Sequence, residues 1–428
     1  MANVLIKSVK GMRDFYPGEW AFQKWLARKW LDIGALFGYQ EYEGPIVEPM
    51  ELYLEKSSEE IVTQQTFSMQ DRDGNRLVLR PELTPTLARM VAQKENELPL
   101  PVRWQSFGPF FRYEKPQRGR GRGFFQWNVD CIGSESILAD AEILTIAALS
   151  LKELGLTAGE AVIKVNDRAA MQEWITDKLK LSAEKVTPLF RAIDRMDKAP
   201  PEVFHNSLRE LGLNQGQIGA LLEFLESKEF SFSPWLAELF SLLKSNGVAE
   251  YCEPDLKIIR GFDYYTRTVF EAWAKTGLRR ALFGGGRYDN LTLQVGGKKR
   301  LPGVGFAPGD MAVYELLAEL GKLPALSPVH ARALITVFSP ELRDASLKLA
   351  RDLRKAGVAV EIYPDISKLD RQIKYADQQK IPYAVIIGPE EAEKGVYILK
   401  DLAEREQKAL DYPELCRILK GRSDIIIS

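Results

Sequence analysis

The part of the sequence best suited to chemistry is a basic loop inside FRYEKPQRGRGRGFFQWNVD, residues 111–130. This stretch holds four arginines, one lysine and three glycines between two aromatic-rich segments. Guanidinium groups and the open backbone N–H groups of glycine-rich turns both bind phosphate oxygens. Because the whole chain has Lys+Arg 58 against Asp+Glu 59, a polyanion must be bound by such local clusters. The loop therefore predicts contact with a phosphate-bearing ligand.

Alternating residue types on both sides of the loop predict a β-hairpin. Arg112 and Glu114 share one face of the first strand, and Gln126, Asn128 and Asp130 share one face of the second. Paired strands would give a polar floor backed by aromatic side chains. The alternative is the ordinary solvated outer face of an antiparallel sheet.

Other reactive residue types are scarce. The chain has two histidines, which removes most catalytic triads and imidazole metal sites. Its three cysteines, Cys131, Cys252 and Cys416, are far apart and form no CxxC, so they are predicted to be small buried hydrophobes. Chemistry must then rest on Arg, Glu, Asp, Gln, Tyr and the backbone, and no metal site made by the protein alone is predicted.

The composition also limits the location and the partners. The N-terminal sequence has no apolar segment with a cleavage site, and no apolar run has membrane-spanning length. We therefore expect a cytoplasmic protein with no membrane partner. Near-neutral charge argues against wholesale wrapping by nucleic acid, and no DNA partner is expected.

Periodicity places these residues on elements. Apolar residues spaced as in a helix run from Glu19 to Phe37 and end at Gly38. A strand at 76–80 leads into a helix for which Thr84 resembles the N-cap and Pro85 the first residue. Glu82 would then lie in the turn between strand and helix.

The remaining chain divides by pattern. Residues 165–245 predict several amphipathic helices, interpreted as an inserted helical module. Strand-like sequence resumes in LKIIRGFDYYTRTVFEAW, ALFGGGRYDNL and PGVGFAPG, which indicates a mixed or antiparallel sheet. After a proline-containing linker at 321–328, a βαβαβ pattern predicts a separate α/β domain, whose first helix carries Leu342, Leu349 and Leu353 and stops at Gly357.

FRYEKPQRGRGRGFFQWNVDCIG resembles motif 2 of class II aminoacyl-tRNA synthetases, in the form found in the histidyl-tRNA synthetase family. RGFDYYTRTVFE (260–271) and GGRYDN (285–290) resemble the two histidine-specific signatures of that family. Four further stretches resemble other parts of the family and stand in the expected order. They are KGMRDFYP (10–17), PIVEP (45–49, dimer-forming motif 1), RPELT (80–84, the amino-acid loop) and IGPEEAEKGVYILKDL (387–402, the end of the anticodon-binding domain). The similarity spans nearly the whole chain.

The resemblance implies an α+β catalytic domain with a class II synthetase-like antiparallel sheet flanked by helices, at residues 1–325. A helical insertion at approximately 165–245 and a C-terminal α/β anticodon-binding domain at 330–428 complete the expected architecture. The implied enzyme is a histidine–tRNA ligase acting as a homodimer. It would use ATP with Mg²⁺ to form histidyl-adenylate, and then transfer the histidyl group to the terminal adenosine of tRNA(His).

Residue roles follow from the same resemblance. A carboxylate is already a nucleophile at neutral pH, so catalysis is mostly positioning and charge neutralisation at the α-phosphate. Arg112 and Arg260 are the implied catalytic residues, although Arg260 with Gly261 would otherwise be interpreted as a surface pair at a bulge. The implied ATP-binding residues are Arg112, Glu114, Arg120 and Phe124, and the implied tRNA contacts are Gln117 and Arg118.

The histidine-binding residues implied by the family are Glu82, Thr84 and Gln126 for the α-amino group, and Asp130, Tyr265 and Tyr288 for the imidazole. An acid and a tyrosine hydroxyl give an imidazole the hydrogen-bond partners that it needs. Either tyrosine could instead be ordinary core packing, which is the commoner place for aromatics in sheets.

One stretch departs from the family pattern. GVGFAPGDMAVYELL (303–317) stands where motif 3 is expected, and there an arginine normally follows a Gly-x-Glu element and contacts ATP. This chain has Asp310, Met311 and Ala312 and no arginine in that region. Arg122, Arg287 and Arg300 are the possible substitutes, and the sequence does not choose among them.

Two other functions remain open at this point. One is a non-catalytic histidine sensor, similar to the regulatory subunit of ATP phosphoribosyltransferase, which the altered motif 3 favours. That paralogue usually lacks the C-terminal domain that this chain has. The other is a tRNA-binding protein without activation chemistry, which leaves the pocket residues without a role.

Overall fold

A computed structural model of the chain shows two compact units, Met1–Pro324 and Ala325–Ser428. The structure describes residues 5–54, 65–196, 200–227, 232–260, 264–278 and 280–421.

The first unit is built on a large mixed sheet. Its strands, β1 to β11 in chain order, are Gln40–Glu41, Val47–Pro49, Phe67–Gln70, Arg76–Leu79, Val102–Phe111, Gly123–Ile132, Ala161–Asp167, Cys252–Pro254, Thr268–Ala274, Ala281–Tyr288 and Gly303–Pro308. Eight of them pair in the order β1-β5-β6-β11-β10-β9-β7-β8, and a separate small sheet has the order β2-β4-β3. The neighbouring pairs from β5 through to β7 are antiparallel, and the outer strands β1 and β8 pair parallel to β5 and β7.

The helices that the structure describes in the first unit, α1 to α10, are Pro17–Leu36, Thr84–Gln93, Ile137–Lys152, Arg168–Lys178, Ala183–Asp194, Pro201–Glu210, Gln215–Glu226, Pro234–Ser245, Leu291–Gln294 and Asp310–Glu319. The apolar stripe of α1 is buried on β5 and β6, where Trp30 stacks on Trp127 with ring centroids 5.9 Å apart. Helix α1 ends where Gly38 adopts a φ of 77°, which suits a residue without Cβ. The back of the sheet is therefore sealed by aromatic packing.

The predicted hairpin is confirmed as β5–β6, but Arg112 and Glu114 follow the end of β5 at Phe111 and do not lie on the strand as predicted. Its register pairs Phe111 with Gly123 and Trp104 with Asp130. The predicted polar residues of β6 share one face, and Trp127 lies on the opposite face against α1. One prediction about α2 was wrong: the N-cap is Leu83, not Thr84, and no side chain caps the helix. Thr84 is the first helical residue and its side chain lines the cavity described below.

Helices α4 to α8 lie between β7 and β8 in the chain. Helices α4 to α7 bury their apolar faces in a core of their own, whereas α8 packs against α3. Asp167, the last residue of β7, caps α4 by accepting hydrogen bonds from the N–H groups of Ala169 and Ala170. The stretch LKIIRGFDYYTRTVFEAW, predicted to be strand-like, does not form a strand in its first five residues, 256–260. Leu256 and Ile259 instead join the helical core, and the carbonyls of Leu256 and Ile258 accept hydrogen bonds from Asn166. These side-chain bonds replace the strand pairing that the segment would need.

The second unit is an α/β fold. Its strands, β12 to β16, are Ala333–Ile335, Val360–Ile362, Tyr383–Ile386, Tyr397–Asp401 and Gln407–Leu410, and its helices, α11 to α14, are Arg343–Lys355, Leu369–Gln378, Pro389–Lys394 and Tyr412–Lys420. The sheet order is β13-β12-β14-β15-β16, parallel across the first three strands and antiparallel at the last two. The predicted βαβαβ core is confirmed. Leu349 and Leu353 are buried on one side of α11, whereas Leu342 is its N-cap.

Two smaller predictions can be compared with the structure. Cys131 and Cys252 are buried as expected, and Cys416 is half-buried. No helix in the described parts of the chain combines the length and the apolar character that crossing a bilayer requires.

Candidate active site

A cavity of about 970 Å³ lies over the polar face of β6 in the first unit. Strands β9, β10 and β11, the start of α10 and the segment around Arg260 form much of the remaining wall, with further contributions from β7 and the end of α5. Eleven of the thirteen predicted site residues line it: Glu82, Thr84, Arg112, Glu114, Arg120, Phe124, Gln126, Asp130, Arg260, Tyr265 and Tyr288. Residues that are far apart in the chain are therefore brought to one site.

The buried end of the cavity is organised by Asp130 and Tyr288. The Tyr288 hydroxyl donates a 2.6 Å hydrogen bond to Oδ1 of Asp130, and both residues are almost fully buried. Burial raises the pKa of Asp130 to about 7, although the hydrogen bond from Tyr288 acts in the opposite direction. A carboxyl group whose pKa lies near neutrality can transfer a proton to a weakly basic ring of a ligand, or form a hydrogen bond with it.

A second carboxylate, Glu82, is held at the cavity wall by a tyrosine. The hydroxyl of Tyr264 donates to Oε2 of Glu82 over 3.1 Å, and the two tyrosine rings of Tyr264 and Tyr265 pack edge to face. Thr84 follows at the first turn of α2. Tyr264 was not predicted as a site residue, although it lies in the quoted signature beside Tyr265.

Arg112 directly follows β5 and is anchored to the neighbouring backbone. Its Nε donates to the carbonyl of Pro81 over 2.9 Å, and its guanidinium lies 5.4 Å from the centre of the Phe124 ring. Burial lowers the pKa of Arg112, while Glu114 and Glu82 oppose that effect. Only Nε of Arg112 contacts Pro81. The guanidinium group therefore places a positive charge at the cavity wall.

Arg260 is positioned by Glu271 on β9. Nη1 of Arg260 forms an ion pair with Oε1 of Glu271. Burial is the largest single effect and lowers the pKa of Arg260, but the charge and hydrogen bond of Glu271, together with Tyr265 and Tyr264, raise that pKa overall. The backbone of Arg260 has a φ of 65°, a left-handed conformation that is costly for a residue with a side chain. Residues 261–263 of this signature lie outside the described residues.

A glycine on β10 gives this guanidinium its space. A Cβ placed on Gly284 would overlap Nη1 and Cζ of Arg260. Glu271 was missed as a site residue, although its place in the 260–271 signature and its alternation with buried neighbours on β9 were available signals.

The basic loop forms a tight turn. The N–H of Gln117 donates to the carbonyl of Arg120 and the N–H of Arg120 donates to that of Gln117, with Gly119 at a φ of 67°. Arg120 pairs with Glu114 at 2.7 Å. Arg118 is exposed outside the cavity, where it pairs with Glu315 and Glu319 of α10 at 2.8 and 3.0 Å. Helix α10 therefore supplies the acidic partners of Arg118.

The three proposed substitutes for the missing motif 3 arginine lie elsewhere. Arg287 is buried against Asp140 and donates to the carbonyls of Ser134 and Ser136. Arg122 donates to the carbonyl of Glu114 and lies over the ring of Tyr113, outside the cavity lining. Arg300 is at the surface and pairs with Glu135 and with Asp289 at 3.3 Å. The cavity does contain another arginine that the sequence did not single out, Arg280.

Asp310, at the start of α10, has a structural role. Its fully buried carboxylate accepts hydrogen bonds from Arg13 at 2.6 Å, from Gln23 at 2.7 Å and from the N–H of Phe125 at 2.9 Å. These bonds join the N-terminal segment, α1 and β6. Asp310 therefore fixes the strand that carries Phe124 and Gln126.

Comparison with known proteins gives matches over nearly the whole chain. The family model for "Histidyl-tRNA synthetase" matches residues 11–311, and that for "Anticodon binding domain" matches residues 332–422. The histidine–tRNA ligase of Haloarcula marismortui is 36% identical over 416 residues, 94% of each chain. That of Leptospira biflexa is 32% identical over 430 residues, 97% of each chain. The crystal structure of histidyl-tRNA synthetase from Nostoc sp. PCC 7120 has a TM-score of 0.81 at 24% identity, covering 98% of this chain and 99% of that one.

Proposed function

The chain belongs to the histidyl-tRNA synthetase family, and on that premise we propose how its cavity activates histidine with ATP. The function is ligation of histidine to tRNA at the expense of ATP. One observation carries the residue assignment. Arg112, Arg260, the acids and tyrosines assigned to histidine binding, and the polar face of β6 all line one cavity.

Histidine binds at the buried end of the cavity. Asp130 and Tyr288, with Tyr265 nearby, offer the imidazole an acceptor and a hydroxyl partner. Glu82, Thr84 and Gln126 bind the α-amino group, to which Glu82 contributes a carboxylate already oriented by Tyr264. An amino acid without ring nitrogens would leave the buried Asp130–Tyr288 pair without its ligand, and selectivity for histidine follows from that loss.

ATP binds towards the basic loop. Phe124 offers its ring to the adenine, while Glu114 and Arg120 hold each other in place beside it. Arg112 contacts the α-phosphate, because it is the guanidinium fixed next to Phe124 and Glu82.

The first chemical step needs charge stabilisation more than proton transfer. A carboxylate oxygen of histidine attacks the α-phosphorus, the bond from that phosphorus to the bridging oxygen breaks, and pyrophosphate leaves. Arg260, oriented by Glu271, positions the attacking carboxylate, and Arg112 stabilises the negative charge on the α-phosphate oxygens. The ribose hydroxyl of the tRNA terminus then attacks the carbonyl carbon of the adenylate, the bond from that carbon to the phosphate oxygen breaks, and AMP leaves while its phosphate accepts the hydroxyl proton.

Mg²⁺ accompanies the nucleotide in this proposal. Among the described residues no group of three or more His, Cys, Asp or Glu side chains could hold a metal ion by itself. Glu114 is a buried acid of the cavity beside Arg120 and would assist an ion bound to the nucleotide phosphates. When bound, the ion would neutralise charge on the phosphate groups that leave.

The tRNA contacts extend beyond the cavity. Gln117 and Arg118 stand on the exposed turn of the basic loop and would meet the acceptor end, with Arg118 exchanging its glutamate partners for phosphate. The helices between residues 165 and 245 would clamp the acceptor arm. The second unit would bind the anticodon, as its family match suggests.

A second copy of the chain would cover the small sheet. Strand β2 comes from the stretch that resembles motif 1 and lies at the edge of the β2-β4-β3 sheet, with Ile46 and Val47 exposed. An exposed apolar edge favours association. Sedimentation should therefore give a dimer, and a monomer at micromolar concentration would contradict this part of the proposal.

Histidine-dependent exchange of pyrophosphate into ATP tests the function directly. We expect exchange with histidine and not with other amino acids. Binding of histidine without exchange, at saturating ATP and Mg²⁺, would indicate a sensor instead. The sensor is not favoured, because the curated relatives matched over nearly the whole chain are histidine–tRNA ligases.

A further inference from the structure

Three parts of the chain meet at Gly119 on the cavity wall. A Cβ placed on Gly119 would lie 3.5 Å from Cδ of Arg280, 3.6 Å from its Nη1 and 3.6 Å from Cα of Ala312. Arg280 comes from the connection between β9 and β10, and Ala312 from the first turn of α10. Both residues line the cavity. A guanidinium from the β9–β10 connection therefore stands beside the helix that resembles motif 3.

Ala312 is the position at which that helix would be expected to carry its arginine. In the order Gly-x-Glu-Arg, Gly309 is followed by Asp310, Met311 and Ala312. Because the methyl group of Ala312 has no charge, the adjacent cavity space receives no cation from α10 at this point.

Arg280 has unused hydrogen-bonding capacity. Its Nη1 donates to the carbonyl of Arg118 over 3.2 Å. Its buried Nε has no hydrogen-bond partner, and none of the carboxylates that the structure describes forms an ion pair with it. In contrast, Arg120 pairs with Glu114 and Arg260 pairs with Glu271. A buried donor without a partner is unfavourable, and a ligand oxygen would satisfy it.

The surrounding charges also favour an anion. Burial lowers the pKa of Arg280, the nearby charge of Arg120 lowers it further, and Glu114 opposes both effects. Glu114 is the ion-pair partner of Arg120, so the two neighbouring guanidinium groups share a single nearby carboxylate. A polyanion bound between them would reduce their mutual repulsion.

We propose that Arg280 is an ATP-binding residue of this chain, whose guanidinium binds the polyphosphate beyond the α-phosphate in the space that Ala312 leaves. The proposal rests on the proposed function of the cavity. It assigns the missing motif 3 charge to a residue about thirty positions earlier in the chain, on the β9–β10 connection.

The first experiment compares Arg280→Ala and Arg280→Lys with Arg300→Ala, which removes a surface guanidinium outside the cavity. Arg280→Ala should raise KM for ATP in pyrophosphate exchange roughly tenfold to a hundredfold, the size expected for a lost hydrogen bond to a charged group. It should weaken binding of inorganic pyrophosphate and leave the Kd values for histidine and AMP unchanged. Arg280→Lys should give a smaller effect, because a lysine keeps the charge and loses the fork.

Unchanged histidine binding in Arg280→Ala reports an intact fold and cavity. If KM for ATP is unchanged in that variant while the unaltered protein exchanges pyrophosphate, the Arg280 proposal is wrong and the proposed function stands. If AMP and ATP binding weaken equally, the assignment beyond the α-phosphate is wrong. No histidine-dependent exchange by the unaltered protein would instead reject the proposed function.

A second-site variant tests the location. Ala312→Arg combined with Arg280→Ala returns a guanidinium to the same space from α10, so at least part of the lost ATP affinity should return. Ala312→Arg alone should place two cations there and bring no comparable gain. Failure of the double variant to improve on Arg280→Ala, with histidine binding intact, would contradict a shared site.

Discussion

The hydroxyl of Tyr288 donates a 2.6 Å hydrogen bond to Oδ1 of Asp130, across 158 positions of sequence and inside a buried part of the cavity. Asp130 comes from β6 and Tyr288 from the end of β10, and β11 lies between these strands. A bond of this kind fixes the acid before any ligand arrives, so the imidazole meets a preorganised partner.

Tyr288→Phe tests this pair. The substitution removes one hydroxyl and leaves the ring packing, so the fold should persist. Histidine binding should weaken by roughly 1–3 kcal/mol, because a buried polar group loses its partner. Titration calorimetry with histidine gives the measurement, and Tyr314→Phe, on an exposed tyrosine outside the cavity, is the matched control. Equal histidine affinity in Tyr288→Phe and the unaltered protein would make Tyr288 a packing residue only.

Asp130 should make stability depend on pH. Its pKa is raised from 3.8 to about 7 in the folded chain, so folding favours the protonated form. This stabilising contribution is complete below pH 3.8 and is lost as the pH rises through about 7, at up to about 1.4 kcal/mol per pH unit. In Asp130→Asn, which cannot ionise, melting should respond less to a rise from pH 5 to pH 8. If the melting temperatures of both proteins, measured by calorimetry without ligand, change equally with pH, the raised pKa is contradicted.

Gly284→Ala should disable Arg260 without unfolding the chain. A methyl group there overlaps the guanidinium of Arg260, and a flexible side chain can move away more easily than the backbone. Once displaced from Glu271, Arg260 no longer orients the substrate, and kcat/KM for exchange should fall by roughly a hundredfold. Gly219→Ala is the matched control, because a Cβ at Gly219 meets no atom within 4 Å. Activity equal to that of this control would show that the Arg260–Glu271 geometry is dispensable.

The division of tasks between the units predicts the effect of truncation. The second unit has its own apolar core around Ala333, Leu349 and Val385, so a chain ending at Pro324 should keep the cavity. The fragment should exchange pyrophosphate with histidine and charge tRNA poorly, because anticodon contacts help to orient the acceptor end. Charging at the full-length rate would make the anticodon assignment wrong. A fragment that folds but cannot exchange would place part of the activation site in the second unit.

Sequence patterns predicted what is local or periodic. The face carrying Gln126 and Asp130 follows from strand alternation, and α1 follows from its apolar stripe. The partner of Asp130 came only from a family resemblance, because alternation on one strand does not specify which distant residue faces it. Arg280 gave no signal, since it stands in an irregular connection and its role depends on where β10 brings it beside α10. The strand-like pattern at 256–260 formed no strand for a similar reason, because buried contacts with Asn166 and the helical core determine that segment.

The basic loop should separate two steps of the reaction. Arg112 is fixed at the cavity wall by the carbonyl of Pro81, so Arg112→Gln should slow adenylate formation. Loss of one group that stabilises transition-state charge costs about 2.7–4 kcal/mol, or roughly a hundred- to thousandfold in rate. Arg118 is exposed on the turn, so Arg118→Ala should leave pyrophosphate exchange intact and weaken tRNA binding, with a salt slope smaller by about one unit.

The glutamates of α10 sharpen this comparison. The double variant Glu315→Gln with Glu319→Gln removes the charges that pair with Arg118, so tRNA should bind more tightly at low salt. Adding Arg118→Ala to this double variant should abolish the gain in tRNA affinity. Exchange kinetics and tRNA binding at several salt concentrations are the two measurements. Small and equal effects of Arg112→Gln and Arg118→Ala in both assays would mean that the hairpin is a charged surface rather than part of the reaction site.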